Sequence, residues 1–218
     1  MTTTTSKQLY PPTYGDDLDV TVSASLNPEQ PMGFESDDRD TGRRALIVSA
    51  AVGGAVALGL GTYGRIHQPT GAGIFTLGFP AVLPMKVWLT TGAFGLGLGQ
   101  IVSALWMWGR LPGLGPAPRW VSSAHRGTGT LAFLVTLPVA YHCLWALGFQ
   151  ATSTRTLTHS LLGCAFYGVF TTKMLGLRSQ RFPKWAIPVL GGLLVTVLTG
   201  LWLTSSLWFF TNQGFPRF

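Results

Sequence analysis

From residue 41 to its C-terminus the sequence contains neither aspartate nor glutamate, although the chain is 218 residues long. All eight acidic residues lie before residue 41. Pumps and transporters use intramembrane carboxylates as proton relays or as partners of cations. The acid-free part therefore excludes a carboxylate proton relay and a carboxylate-paired cation transporter. It also disfavours metal hydrolases that need a carboxylate base.

Cysteine is nearly absent, since the chain has only Cys143 and Cys164. Two cysteines cannot build a disulfide scaffold, and without a Cys-x-x-Cys-His motif the covalent attachment of a c-type haem is excluded. The Walker loop, Gly-x-Ser-x-Gly and His-Glu-x-x-His are also missing. The net charge is +7, but the bases do not form one cluster, so no nucleic-acid partner is expected.

Charge is scarce throughout the chain. Charged residues make up 11% of the sequence and hydrophobic residues 47%, whereas a soluble domain has roughly 25% charged residues. A helix needs about 20 apolar residues to cross the hydrocarbon core of a bilayer. Because such runs must be helical in lipid, the sequence predicts an all-α integral membrane bundle of five transmembrane helices. The five apolar runs cover residues 45–66, 83–108, 124–149, 157–178 and 185–211.

The N-terminal segment has a different composition. Residues 1–40 are rich in Thr, Ser, Asp and Pro and lack apolar periodicity, which predicts disorder. We therefore divide the chain into a disordered acidic tail, residues 1–42, and a five-helix transmembrane domain, residues 43–218.

The positions of Lys and Arg predict the orientation of the helices. Ten of these residues lie at the loops of one side and four at the loops of the other. Basic loops stay in the cytoplasm. We therefore expect a multi-pass protein of the plasma membrane, with a cytoplasmic N-terminus and an extracytoplasmic C-terminus. The lipid bilayer is the first expected partner.

Four histidines lie at or within the ends of the predicted spans. An ionisable residue at membrane depth is a functional hypothesis by default. His125 belongs to the inner side, and His67, His142 and His159 belong to the outer side. Spans three and four form a hairpin that should bring His142 and His159 to the same depth. Two such imidazoles could bind a b-type haem from its two faces, as axial ligands of the iron. The alternative is that His67, at the outer end of span one, lies diagonally across the bundle and replaces one of the two.

Other residues complete the predicted site. Gly129 and Gly163 each follow a histidine by four residues, so each shares a helix face with it and would leave room for a porphyrin. Lys173 lies on nearly the same face as His159, near the inner end of span four. It could contact a haem propionate, bind anionic lipid or extend to the membrane surface. Pro138 is expected to kink span three.

Residues 123–178 resemble the membrane domains of ferric reductases and dihaem cytochromes b. The resemblance lies in the stretch that begins His125-Arg126-Gly127 and ends at His142, and in a second stretch from Arg155 to Gly163. It implies haem b and electron transfer through the membrane. The second histidine of span three comes one turn later than in those families, and Lys173 stands where a fourth ligand is expected. The whole chain also resembles an uncharacterised family of bacterial multi-helix membrane proteins.

Three functions remain open at this stage. The first is a membrane b-type cytochrome that passes electrons from a quinol to an extracytoplasmic redox protein, with His125 at an inner haem or a quinone site. The second is a haem-free scaffold or assembly subunit of a larger complex. The third is an outer copper or zinc site formed by His67, His142 and His159, because imidazole binds both metals. The sequence does not determine the oligomeric state.

Overall fold

The computed structural model describes residues 33–216, and this part of the chain consists of helices and their connecting loops. Because an apolar segment in lipid must satisfy its backbone hydrogen bonds internally, each apolar run folds as a helix. Within the described residues, five helical segments are long and apolar enough to cross a membrane, which confirms the predicted all-α fold. They are Asp40–Ile66, Val82–Met107, Arg119–Leu147, Thr154–Arg178 and Ala186–Gln213.

The spans are built from α-helices and two short π-helical turns. The α-helices are α1 Gly33–Ile66, α2 Val82–Met107, α3 Arg119–His142, α4 Thr154–Arg178, α5 Ala186–Trp202 and α6 Trp208–Gln213. One π-helical turn, Cys143–Leu147, continues α3, and the other, Leu203–Leu207, joins α5 to α6. We call the end of the bundle at which α1 ends the distal end, and the opposite end the proximal end.

The first helix begins at Gly33, earlier than the predicted start of the helical domain at residue 43. Helix formation propagates at little cost once a turn exists, so a span can continue beyond the membrane surface. The remainder of the predicted tail, residues 1–32, lies outside the described residues, and its disorder stays a prediction.

Helices α2 to α5 form a four-helix bundle, and α1 lies outside it along α4. The centre of the bundle is an apolar cluster of Ala93, Phe166, Val197 and Leu198. Small residues allow α1 to approach α4 closely, because a Cβ added at Gly168 would lie 2.6 Å from the carbonyl oxygen of Gly53. The glycine pattern of the first span is thus explained in part by this packing.

The α3–α4 hairpin is held together mainly by side chains. The rings of Phe133 and Phe170 stack at 3.9 Å, and the Tyr167 hydroxyl donates a hydrogen bond of 3.0 Å to Thr136 Oγ1. Ser153 starts α4 with a capping box, in which its hydroxyl accepts from the amide of Thr156. The two helices are antiparallel, as predicted, but large rings rather than small residues separate them.

Much of the outer surface of the bundle is apolar and exposed. Lipid-facing positions are expected to be of this kind, because the bilayer core offers no water to polar groups. The protein is therefore a multi-pass membrane protein in contact with the lipid bilayer. Examples of exposed apolar side chains are Ile47, Val48, Leu58, Val102, Leu131, Leu161 and Val189.

Candidate functional site: histidine centres at the two ends of the bundle

His142 is the most deeply buried of the four histidines, with only 1% of its surface exposed. Its Nδ1 atom lies 2.8 Å from the carbonyl oxygen of Pro138, four residues earlier on α3. The edge of the Phe75 ring contacts the imidazole at 4.6 Å between centroids. A Cβ added at Gly73 would lie 3.3 Å from the His142 ring. The loop between α1 and α2 therefore covers this histidine.

The Pro138 contact determines the tautomer of His142. A carbonyl oxygen can only accept, so Nδ1 donates the proton of this contact, and Nε2 is the ring nitrogen that remains for another partner. That Nε2 atom is buried and has no hydrogen-bond partner. Leaving a buried polar atom unpaired costs about 1–3 kcal/mol. Metal-bound histidines have this arrangement, in which the second ring nitrogen donates to a carbonyl or a carboxylate.

His67 follows the end of α1, and its ring lies between two aromatic side chains. It stacks on Tyr63 at 5.0 Å with an interplanar angle of 12°, and it contacts Trp145 at 4.6 Å. Its Nε2 atom is also buried without a hydrogen-bond partner. Trp145 belongs to the first π-helical turn, and π-helical turns are frequent at functional sites. His67 is therefore part of the distal centre rather than a plain surface residue.

His159, near the distal end of α4, has partners in the fold. Its Nδ1 atom lies 2.9 Å from the hydroxyl of Thr204, in the second π-helical turn. That hydroxyl donates to the carbonyl oxygen of Gly200 at 2.7 Å, so it accepts from His159. The imidazole also lies within interaction range of the Cys143 thiol, and Lys86 approaches the same thiol. His159 thus lies between the two π-helical turns.

Two predicted sites at the distal end stay predictions. They are the haem site of His142 and His159 and the metal site of His67, His142 and His159. His142 and His159 both lie at the distal end, as the hairpin predicted, but their rings have separate sets of neighbours. Within residues 33–216, no group of three or more His, Cys, Asp or Glu side chains is arranged to hold a metal ion. This gives the His67, His142 and His159 metal site no support.

His125 forms a separate polar centre at the proximal end. Its Nδ1 atom lies 2.8 Å from the Ser103 hydroxyl, which also donates to the carbonyl oxygen of Gly99 at 2.8 Å. The Gln100 amide donates to the backbone oxygen of His125 at 2.8 Å and to Thr128 Oγ1 at 2.6 Å. These contacts join α3 to α2 and hold the imidazole in one orientation.

The two glycines of the predicted haem site have different surroundings. A Cβ added at Gly129 would lie 3.0 Å from the Gln100 side chain, so this position makes room for Gln100. Around Gly163 the space for a Cβ is open. Only Gly163 therefore keeps the clear helix face that both glycines were expected to provide.

Lys173 points between α4 and α5 near the proximal centre. Its Nζ atom lies 3.7 Å from the position that a Cβ of Gly191 would take. The sequence offers this ammonium group no carboxylate after residue 40. Its predicted contact with a haem propionate, a lipid or the membrane surface stays a prediction.

A separate cavity of about 390 Å³ lies under the α2–α3 loop, and none of the predicted site residues lines it.

Several residues of these centres were not predicted. Ser103, Gln100 and Thr204 hold the histidines from other helices, and Phe75 covers His142 from a loop. Each of the three polar residues stands inside an apolar run. Because polar side chains in lipid need hydrogen-bond partners, this position could have indicated their contacts with other helices.

The fold and the two centres define an all-helical membrane protein with fixed histidines near both ends of its bundle. Residues 46–217 match the family of unknown function DUF6529, and because the match spans most of the chain, the protein belongs to this family. This confirms the predicted membership of an uncharacterised multi-helix membrane family. No curated protein and no solved structure matches the chain.

Proposed function

We propose that the protein is a membrane b-type cytochrome that binds one haem at the distal end, with His142 as an axial ligand. The observation that carries this proposal is the buried Nε2 atom of His142, which has no partner while Nδ1 is held by the Pro138 carbonyl. A fixed imidazole with a free lone pair has the donor that haem iron takes.

The side chains beside His142 are apolar and aromatic, which suits a flat apolar group. The rings of Phe75 and Tyr141 both contact the imidazole in T-shaped geometry. Haem b bound between two imidazoles would supply an iron that carries single electrons and has no free position for a substrate. The residues of the chain would hold the ring, set its orientation and exclude water.

The resemblance of residues 123–178 to ferric reductases and dihaem cytochromes b supports the same function. We propose that electrons pass from a quinol in the bilayer to an extracytoplasmic redox protein. His125 and Lys173 would serve a quinone at the proximal centre or a second haem there. The single-haem form is favoured because Ser103 and Gln100 already fill the space beside His125 and Gly129.

The membrane and the orientation belong to this proposal. We propose the plasma membrane, with the proximal end in the cytoplasm, because the proximal loops carry most of the Lys and Arg residues. A reporter enzyme fused after Phe218 should be active outside the cytoplasm. Cytoplasmic activity of that fusion would overturn the orientation.

The test of the cytochrome is the visible spectrum of the detergent-purified protein, oxidised and then reduced with dithionite. We expect a Soret band and the sharp α-band of a low-spin haem, and His142→Ala should lose that α-band. Tyr141→Phe is the matched control, because it keeps the neighbouring ring, and it should retain the spectrum. Bound copper or zinc without a Soret band would instead favour the metal site.

A haem-free membrane scaffold is the second candidate. It is favoured by the hydrogen bonds of His125 to Ser103 and of His159 to Thr204, because a histidine with such partners needs no cofactor. Purified protein with neither haem nor metal would support this candidate and overturn the cytochrome.

A further inference from the structure

Lys173 places an ammonium group inside the fourth span, near the end of α4 at Arg178. Among the described residues it forms no hydrogen bond and no ion pair. From residue 41 onwards the chain has no carboxylate side chain that could approach it. A cation at membrane depth is costly without an opposite charge, so it marks a functional site by default. The missing negative charge has to come from another molecule.

Two glycines of α5 leave space beside this ammonium group. The Nζ atom lies 3.7 Å from the position that a Cβ of Gly191 would take, so a larger side chain there would fill the space next to the charge. At Gly192 the space for a Cβ is open, and this residue is exposed. The recess between α4 and α5 therefore continues to the lipid-facing surface of the bundle.

The depth of Lys173 suits a lipid headgroup. Five residues of helix separate it from the end of α4 (178 minus 173), which corresponds to about 7.5 Å. A lysine stem lies along apolar surface while its charged head approaches the polar layer. Leu177 is exposed one turn later on the same face of α4, and Val189 and Leu193 are exposed on α5. These side chains offer an apolar surface to the acyl chains of a lipid.

The loop between α4 and α5 adds positive charge at the same end of the recess. Three exposed bases follow Lys173 within eleven residues (184 minus 173), namely Arg178, Arg181 and Lys184. The buried Phe182 ties this loop to α4, since a Cβ added at Gly176 would lie 2.7 Å from its ring. Basic pockets between transmembrane helices bind the headgroups of anionic lipids.

We infer that Lys173, in the recess at Gly191, binds the phosphate group of an anionic phospholipid from the leaflet at the proximal end. The inference goes beyond the proposed function and does not require haem, and it gives Lys173 a lipid in place of a quinone or a propionate. The ammonium group donates charge-assisted hydrogen bonds to the phosphate oxygens, and the loop bases attract the same charge.

The test follows the thermal unfolding of the full-length protein in a zwitterionic detergent, with added phosphatidylglycerol, phosphatidylcholine or inorganic phosphate. A ligand that binds only the folded state stabilises it, so the concentration dependence of Tm gives its affinity. We expect phosphatidylglycerol to raise the Tm of the wild type and the other two additives to leave it unchanged. Lys173→Met should weaken the affinity for phosphatidylglycerol by roughly 10- to 150-fold, as the loss of hydrogen bonds to a charged group does. Lys173→Arg should retain it.

Arg126→Met is the matched control, because it removes one exposed positive charge from the proximal end of α3 and leaves the recess unchanged. It measures the general attraction of the basic end for anionic lipid, and its effect should not exceed about 5-fold, that of one charge near the surface. Without lipid, Lys173→Met should unfold at the wild-type Tm or above it, because it removes a charge that has no partner there. This measurement separates binding from folding.

The outcomes also separate this inference from the proposed function. If Lys173→Met loses no more affinity than Arg126→Met, the basic end attracts lipid only as a surface and the inference is overturned. Equal stabilisation by inorganic phosphate would overturn the lipid as the source of the phosphate group. Loss of haem from Lys173→Met, with phosphatidylglycerol binding unchanged, would assign the residue to a propionate instead. A wild type without haem would overturn the cytochrome and leave the lipid site standing.

Discussion

Replacing Gly53 by alanine should loosen the packing of α1 on α4. The added methyl group would overlap the Thr172 hydroxyl and the carbonyl oxygen of Gly168. The hydroxyl belongs to a side chain that can rotate, but the carbonyl belongs to a helix backbone and cannot. Helix α1 must therefore move away from α4. Overpacking of this kind costs about 1–3 kcal/mol, which is roughly a 5- to 150-fold change in the unfolding equilibrium.

The assay is unfolding in mixed micelles by titration with sodium dodecyl sulfate, followed by tryptophan fluorescence. Gly54→Ala and Gly59→Ala are the matched controls, because a Cβ at either position meets open space. They should stay within about 0.5 kcal/mol of the wild type, as surface substitutions do. Glycine-to-alanine substitutions on α1 should thus lower the stability at Gly53, which faces α4, and leave it unchanged at Gly54 and Gly59.

A double variant makes the prediction sharper. Thr172→Ala removes the overlapping hydroxyl but leaves the Gly168 carbonyl in place, so it should recover only part of the loss caused by Gly53→Ala. If Gly53→Ala is as stable as Gly54→Ala, the close approach of α1 to α4 at this point is refuted.

Three other predictions concern packing, hydrogen bonding and the tail. A Cβ at Gly176 would lie 2.7 Å from ring atoms of the buried Phe182, so Gly176→Ala should destabilise the protein by about 1–3 kcal/mol in the same titration, and adding Phe182→Leu should restore part of this loss. Tyr167→Phe removes the hydrogen bonds to Thr136 and should cost about 0.6 kcal/mol, the average for interhelical hydrogen bonds in a membrane. A loss near zero would mean that water or another group replaces this contact. Deletion of residues 1–32 should leave membrane insertion and any bound haem unchanged, as measured by membrane fractionation and haem content.

Most of the fold follows from the sequence because the bilayer restricts the choice of structure. Apolar runs in lipid have to be helices, so five runs give five spans. The same rule does not define where regular α-helix gives way to a π-helical turn. The turns at Cys143–Leu147 and Leu203–Leu207 insert one residue into a helix and leave no mark in the composition.

The candidate site follows from the sequence less completely. The hairpin between α3 and α4 gives the depth of His142 and His159, because depth depends only on the rise along each helix. The direction of each ring depends on the rotation of the helices, which tertiary packing decides. That rotation directs His159 towards Thr204 on the span that begins with α5, a contact that sequence spacing could not reveal.

Sequence spacing also fails to predict the surroundings of the glycines. Spacing alone treats Gly53, Gly54 and Gly59 alike, although only Gly53 meets a neighbouring helix. It also assigns Gly129 to a porphyrin, whereas the structure fills that space with Gln100. A glycine in a span indicates a close neighbour or open lipid, and the packing of the helices decides between them.

The position of α1 has a consequence for how the protein is made. Its main partner is α4, and the close contact joins Gly53 to Gly168, 115 residues later in the chain (168 minus 53). Ribosomes add about 5–20 residues per second, so roughly 6–23 s pass between the synthesis of these two positions. During that time the first span stays in the membrane without the helix it fits, while α2 and α3 are inserted. The biosynthetic machinery therefore has to hold or tolerate a solitary helix until the fourth span arrives.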